Sequence, residues 1–124
     1  IWLVKFNASN GAIIWEKSYG GTEFDTSRGI TKLENDYYAI AGSARSSDID
    51  VAANYGANDA WLILIDENGN LEFEKNVGGS DIDFANQVIG TNKNEIIVVG
   101  SSFSNDGDIL INNGNKDVLI FKMK

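Results

Sequence analysis

Two short acidic loops are the first places in the 124-residue chain where residue types and spacing fit a chemistry. Ser104-Asn105-Asp106-Gly107-Asp108 and Ser46-Ser47-Asp48-Ile49-Asp50 each set two carboxylates two residues apart beside hydroxyl or amide oxygens. Calcium loops begin this way, with oxygen ligands from alternate residues and a glycine at the sharp turn, so Asp48, Asp50, Asp106 and Asp108 are calcium candidates. Neither loop carries a third acid in register or a closing bidentate Glu. The same residues also build Asx turns, whose side-chain oxygens accept from nearby backbone N–H groups, and the spacing favours that role. Calcium is the one cofactor left in consideration.

A second set of carboxylates follows or precedes the turns. Asp25 and Asp83 stand at the same distance after Gly20-Gly21 and Gly78-Gly79, and Asp59 and Asp117 precede apolar runs. A carboxylate pair performs general acid and base work in glycosidases. A catalytic pair is needed once, however, whereas a corner whose backbone N–H groups must be satisfied recurs wherever the chain turns the same way. The acids are therefore read as turn residues, no catalytic residue is assigned, and the chain is not expected to be an enzyme. Among the aromatics, Trp2 and Trp61 sit at equivalent places in apolar strands and are expected to pack between sheets. Trp15, in a strand of alternating polarity, and Tyr55 and Phe103, at strand ends or in loops, are the ligand-binding candidates, since rings on a rigid surface stack on sugars. Tyr37 and Tyr38 also lie near strand ends.

Composition narrows the chemistry further. There is no Cys, His or Pro, which removes thiol nucleophiles, a disulfide framework, the usual zinc sites and imidazole-dependent triads. Ten basic against eighteen acidic residues leave a net charge of −8, the wrong sign for a phosphate backbone or an anionic membrane. Nucleic acid is not an expected partner. No apolar run approaches the ~20 residues of a spanning helix, so no membrane insertion is expected. The first residue is Ile with no basic and apolar leader behind it, so a signal peptide has been removed or the chain is an excerpt.

The elements that must position these residues repeat. Trp2-Leu3-Val4-Lys5-Phe6 returns as Trp61-Leu62-Ile63-Leu64-Ile65, and after a one-residue shift the agreement continues at an offset of 58 residues. Gly42-Ser43 matches Gly100-Ser101, Asn54 matches Asn112 and Gly56 matches Gly114. Within one period the pattern predicts four short strands and no helix, near 71–76, 85–91, 95–101 and 118–123. Ile96-Ile97-Val98-Val99 and Trp61 to Ile65 are apolar on consecutive residues, so both faces of those strands should be covered. Leu71-Glu72-Phe73-Glu74-Lys75 alternates, which suits an outer edge, and Lys17 and Lys75 beside Glu16 and Glu74 charge that edge against further pairing. The strands around Arg28-Gly29-Ile30 and Asn86-Gln87-Val88 are small and mixed, as an inner strand beside a narrow channel would be.

Small sheets buried in the middle, polar at one edge and repeated head to tail fit the blades of a β-propeller better than a β-sandwich, whose strands alternate throughout. The runs 59–66, 69–75, 78–83, 96–101 and 104–108 resemble the β-propeller repeat family of secreted and cell-surface bacterial proteins. The resemblance spans nearly the whole chain in two copies. It departs from the family at Phe73, where Trp is usual, and at Asn35-Asp36-Tyr37 and Asn94-Glu95, where a Gly-rich hairpin is usual. It implies an all-β fold of four-stranded antiparallel blades and an extracellular or cell-surface setting.

Taken as blades, residues 1–19 supply the last two strands of one, 20–76 a complete blade and 77–124 the first three strands of the next. Nine strands make about two blades, part of a larger ring. Neighbouring blades of a longer chain, or further copies in a homo-oligomer, are the expected partners completing it. The function expected is a non-catalytic scaffold for adhesion, carbohydrate or surface-protein binding. The alternative is an enzyme whose central channel uses inner-strand residues such as Arg28, Asn86 and Gln87 together with other blades.

Overall fold

The computed structural model describes residues 1–124, which form nine β-strands and no helix. The strands are β1 (Trp2–Phe6), β2 (Ile13–Ser18), β3 (Asp25–Lys32), β4 (Tyr38–Ala44), β5 (Asp59–Ile65), β6 (Leu71–Val77), β7 (Asp83–Gly90), β8 (Ile96–Ser102) and β9 (Asp117–Met123). All strand pairs are antiparallel. They make a two-stranded sheet β1-β2, a four-stranded sheet β3-β4-β5-β6 and a three-stranded sheet β7-β8-β9. Within each sheet, strands consecutive in sequence pair with one another, through short hairpins except for β4-β5 and β8-β9, which are joined by the longer loops 45–58 and 103–116.

Local chemistry sets the turns. The β1-β2 and β5-β6 hairpins place Gly11 and Gly69 at positive φ, and Asp66 Oδ1 accepts from the N–H groups of Asn68 and Asn70. The β3-β4 and β7-β8 hairpins use Asp36 and Asn94 at φ 63° and 57° instead. Asp and Asn tolerate the left-handed region, so the missing hairpin glycines cost these turns little. Near the other end of β3 and β7 the backbones close up. A Cβ at Gly42 or Gly100 would run into the carbonyl oxygen of Thr26 or Phe84, so these two positions in β4 and β8 admit only glycine without a backbone shift.

The four-stranded sheet lies between the other two, and each of its faces has its own core. On one, Ala39, Ala41, Ala60 and Leu62 pack with Ala85, Val88, Ile96 and Val98 of the three-stranded sheet. On the other, Ile40, Trp61, Ile63 and Ile65 join Tyr19 and are covered by Ile1, Leu3 and Trp15 beside the two-stranded sheet. This is why β5 is apolar at consecutive positions: Trp61, Leu62, Ile63 and Ile65 are all buried, on alternating sides. Each such side chain stabilises the stack by about 1.5–3 kcal/mol. β6 lies at an edge of its sheet, as its alternation predicts, but the exposure does not alternate: Phe73 is exposed, while Glu74 is half-buried and accepts from the Trp61 indole N–H.

Two expectations are corrected. β8 is buried on one face only, through Ile96 and Val98, while Val99 is 40% exposed. Trp2 is 67% exposed although its counterpart Trp61 is 1% exposed. The reason is the same at both ends of the stack, because no element covers the outer face of the two-stranded or the three-stranded sheet.

Candidate functional site

Chemistry-bearing side chains gather at the two corners where the chain passes from one sheet to the next, Gly20-Gly21 and Gly78-Gly79. Each corner is a backbone reversal whose N–H groups face side-chain oxygens from a loop 26 residues on. At the first, Asp48 Oδ1 accepts from Thr22 N at 2.9 Å and its Oδ2 from Thr22 Oγ at 2.8 Å, Ser46 Oγ accepts from Glu23 N at 2.9 Å, and Asp50 Oδ2 accepts from Gly20 N at 3.2 Å. At the second, Asp106 Oδ1 accepts from Ser80 N at 2.7 Å, Ser104 Oγ from Asp81 N at 3.0 Å, and Asp108 Oδ2 from Gly78 N at 3.4 Å. The Ser80 N–H holds the Asp106 carboxyl below the usual range. All four calcium candidates thus spend oxygens on backbone donors, and nowhere do three or more acids cluster as a metal set.

Asp25 and Asp83 brace the same corners from inside. Asp25 Oδ2 accepts from Gly21 N at 2.8 Å and Ser46 Oγ at 2.7 Å, and its Oδ1 from the N–H groups of Arg45 and Ser46 at 3.0 and 3.1 Å. Partial burial raises this carboxyl, but the four donors outweigh it and hold the group below its ordinary value. Asp83 Oδ2 likewise accepts from Gly79 N at 2.9 Å and Ser104 Oγ at 2.7 Å, yet its Oδ1 has no partner. The Ser104 N–H that would reach it donates instead to Ser102 Oγ at 3.1 Å. Ala44 stands at the equivalent place in the first corner, where no hydroxyl competes.

Asp59, at the start of β5, adjoins Asp83. It is fully buried, its Oδ2 accepts from Tyr55 N at 2.8 Å, and its Oδ1 is unpartnered. Burial, joined by the nearby Asp83 and Asp108 charges, pushes this carboxyl up to about 6. Asp117, its counterpart on β9, accepts from Asn113 N in the same way but is not buried. Sequence reasoning placed Asp59 and Asp83 in turns and missed that they meet. It also missed Asn76, a lone amide at the end of an alternating strand, which is 4% exposed and whose side-chain atoms have no partner.

The inner strands hold a third group. β3 and β7 each carry a bulge in their pairing with β4 and β8, between Ser27 and Gly29 and between Ala85 and Gln87, which leaves Arg28 and Asn86 as the extra residues. Bulges re-aim side chains. Here Arg28 Nη1 donates to Asn86 Oδ1 at 3.2 Å and its guanidinium lies 4.8 Å from the Phe84 ring centre. Gln87 turns back to its own strand, accepting from Val88 N. Of the three channel candidates, the structure brings Arg28 and Asn86 together.

The aromatic candidates are dispersed. Trp15 is half-buried against the β5-β6 turn and donates its indole N–H to the Glu67 carbonyl at 3.1 Å, so its main contact is packing. Tyr55 is 53% exposed, and Phe103 lies under the Lys116 ammonium at 5.5 Å. An open cleft of about 500 Å³ lies instead over the first corner, between Trp2, Tyr19, Phe24 and Ile49. No protein-family model matches the chain, and no curated protein matches it.

Proposed function

We propose that the three sheets are successive blades of a β-propeller and that the protein is a non-catalytic scaffold of the secreted or cell-surface kind that its repeat resembles, presenting loops such as those carrying Tyr55 and Phe103 to a carbohydrate or a surface protein. The observation that carries the reading is an equivalence of faces. The exposed outer face of the three-stranded sheet presents Val99, Val118 and Ile120, at 40%, 72% and 63% exposure. Fifty-eight residues earlier the same places are Ala41, Ala60 and Leu62, each fully buried by the next sheet. At the other end Trp2 and Phe6 are exposed where their counterparts Trp61 and Ile65 are covered by the sheet before. The uncovered faces therefore match covered ones, and another sheet of the same build is the partner that fits. Apolar faces of this breadth are not left in water by a soluble protein.

The corner acids support a non-catalytic reading, since Asp25, Asp48, Asp83 and Asp106 accept from backbone N–H groups. Native mass spectrometry tests the assembly. A closed particle of ~4 to 8 blades is expected, from one longer chain or several copies, and Ile120→Glu should reduce it. A 13.5 kDa chain that stays folded and monomeric at micromolar concentration would overturn the reading. The paired bulges favour one second reading, an enzyme site on the inner edge around Arg28 and Asn86. An Arg28→Ala, Asn86→Ala variant would then lose turnover with its assembled mass unchanged.

A further inference from the structure

The corner between the four-stranded and three-stranded sheets contains an arrangement that the scaffold role does not use. Asp59 opens β5 in one sheet and Asp83 opens β7 in the next, and the two segments are tied together by the Asn58–Ile82 bridge and by Asp83 N donating to Asn58 O at 2.7 Å. Both acids are fully buried. Gly78 lies against them: a Cβ there would stand 2.6 Å from Asp59 Oδ1 and 2.6 Å from Asp83 Oδ2. The two oxygens thus converge on the same side of Gly78, no farther apart than twice that distance. One is unpartnered, and so is the remaining oxygen of Asp83.

Asn76 supplies an independent sign that something belongs between them. It comes from β6 and is 4% exposed, and its amide lies near enough to Asp59 to lower that carboxyl as a donor would, yet neither amide atom completes a well-formed hydrogen bond. Interior polar groups are almost always satisfied, and here three side chains leave four atoms open in one place. The negative charge is also uncompensated, since the ion pairs of the chain are Lys32–Asp36, Lys122–Glu95 and Lys124–Glu95, none of them at this corner. Asp25, the counterpart of Asp83, leaves no oxygen open at the first corner.

We propose that this corner binds a calcium ion, held by Asp59, Asp83 and the amide oxygen of Asn76, and that the ion ties the two sheets together. Carboxylates and an amide are hard oxygen ligands. Calcium accepts six to eight of them in irregular geometry, whereas magnesium demands a near-ideal octahedron of shorter bonds. Three protein ligands are few for calcium, which places the site in the class with dissociation constants of about 10⁻⁴–10⁻³ M. Of the loop acids, Asp108 borders this site, since its Oδ2 accepts from Gly78 N and its charge reaches Asp59, whereas Asp106 serves the turn at Ser80.

The experiment is thermal unfolding at pH 7.5 in chelator-treated buffer, titrated with calcium chloride and, in parallel, with magnesium chloride and sodium chloride at matched ionic strength. Calcium at 10 mM is expected to raise the melting temperature by about 5 °C with saturation, because an ion that binds only the folded state stabilises it by mass action. Magnesium and sodium should not reproduce the rise. Asp59→Asn should abolish the response, while Asp106→Asn in the exposed loop should keep it. Should Asp59→Asn fail to fold, terbium luminescence of the unaltered protein reads the same site. Trp61 pairs with Asn76 across β5 and β6 and should sensitise the emission, calcium should quench it by displacement, and Trp61→Phe should remove it. No calcium-dependent rise, a rise that persists in Asp59→Asn, or a rise lost only in Asp106→Asn would overturn the proposal. So would a melting temperature that climbs toward pH 5 without any calcium response, since a proton on Asp59 would then take the place of the ion.

Discussion

The corners at Gly20-Gly21 and Gly78-Gly79 are built from like residues 58 positions apart, and they satisfy their carboxylates differently. Asp25 takes four donors, three of them backbone N–H groups, and is held ionised. Asp83 takes two and keeps an oxygen open beside the buried Asp59. Two donors are missing at Asp83: Phe103 N, the counterpart of Arg45 N, donates to the Ile82 carbonyl alone, and the other loss traces to one hydroxyl. Ser102 captures the Ser104 N–H, whereas Ala44 leaves the Ser46 N–H for Asp25. Local hydroxyls compete for backbone donors wherever they come within reach. A corner that is electrostatically closed therefore becomes one with free acceptors through a change that leaves its backbone hydrogen bonds alone: Asp50 N to Gly20 O and Asp108 N to Gly78 O remain at 3.2 and 2.9 Å.

The largest expected effect is on stability. Hydrogen bonds to a charged acceptor contribute about 1.5–3 kcal/mol each and do not sum fully when they share it. Asp25→Ala should accordingly cost about 3–4 kcal/mol in urea unfolding. Asp83→Ala, which loses fewer donors and relieves repulsion with Asp59, should cost about half as much. Equal losses at the two corners would break the comparison.

Next in size is an opposed dependence on pH. Because the folded Asp25 carboxyl lies below its ordinary value, its contribution is present above the unfolded pKa and is lost as acid protonates it below about 4. Asp59 runs the other way. Its folded value of about 6 lies above the ordinary 3.8, so the folded state holds the proton more tightly and stability falls as pH rises from 4 through 6 in calcium-free buffer. From the size of the shift, that loss is on the order of 2 kcal/mol. Asp59→Asn should flatten this branch and Asp25→Asn the acid branch, read from urea midpoints between pH 3 and 7. A single slope shared by both variants would mean the corners are not distinct.

Much of the architecture was legible in residue order. Alternation and consecutive burial placed β6 at an edge and β5 in the middle, because side-chain period and strand exposure are linked directly. The corner acids were legible as turn residues for a similar reason, since Gly-Gly followed by Asp at fixed spacing reports a local reversal. What did not show was any relation that depends on a third segment. Asn76 carries no pattern of its own, Asp59 looks like one more turn acid, and the bulges at Arg28 and Asn86 are displacements of register that no residue type marks. Burial of β8 and Trp2 was misread in the same way. An apolar strand says that it needs cover, and only the packed sheets say whether cover is there.

The smallest effect is the most direct test of why the corners differ. Ser102→Ala removes the competing hydroxyl from the second corner and returns the Ser104 N–H to Asp83 Oδ1, as Ala44 permits at the first. Ser102 is buried and its hydroxyl accepts from Ser104 N, so deleting it loses one hydrogen bond and regains one to a charged acceptor, which is the stronger kind. The net change should be a gain of up to about 1 kcal/mol, with the Ser104 amide becoming more slowly exchanging. Ala44→Ser should do the reverse at the first corner, at similar or slightly larger cost because Ala44 is itself fully buried. If Ser102→Ala destabilises while Ala44→Ser is neutral, the hydroxyl is a supporting contact rather than a competitor. The open oxygen of Asp83 would then have to be explained by the strain of holding it beside Asp59.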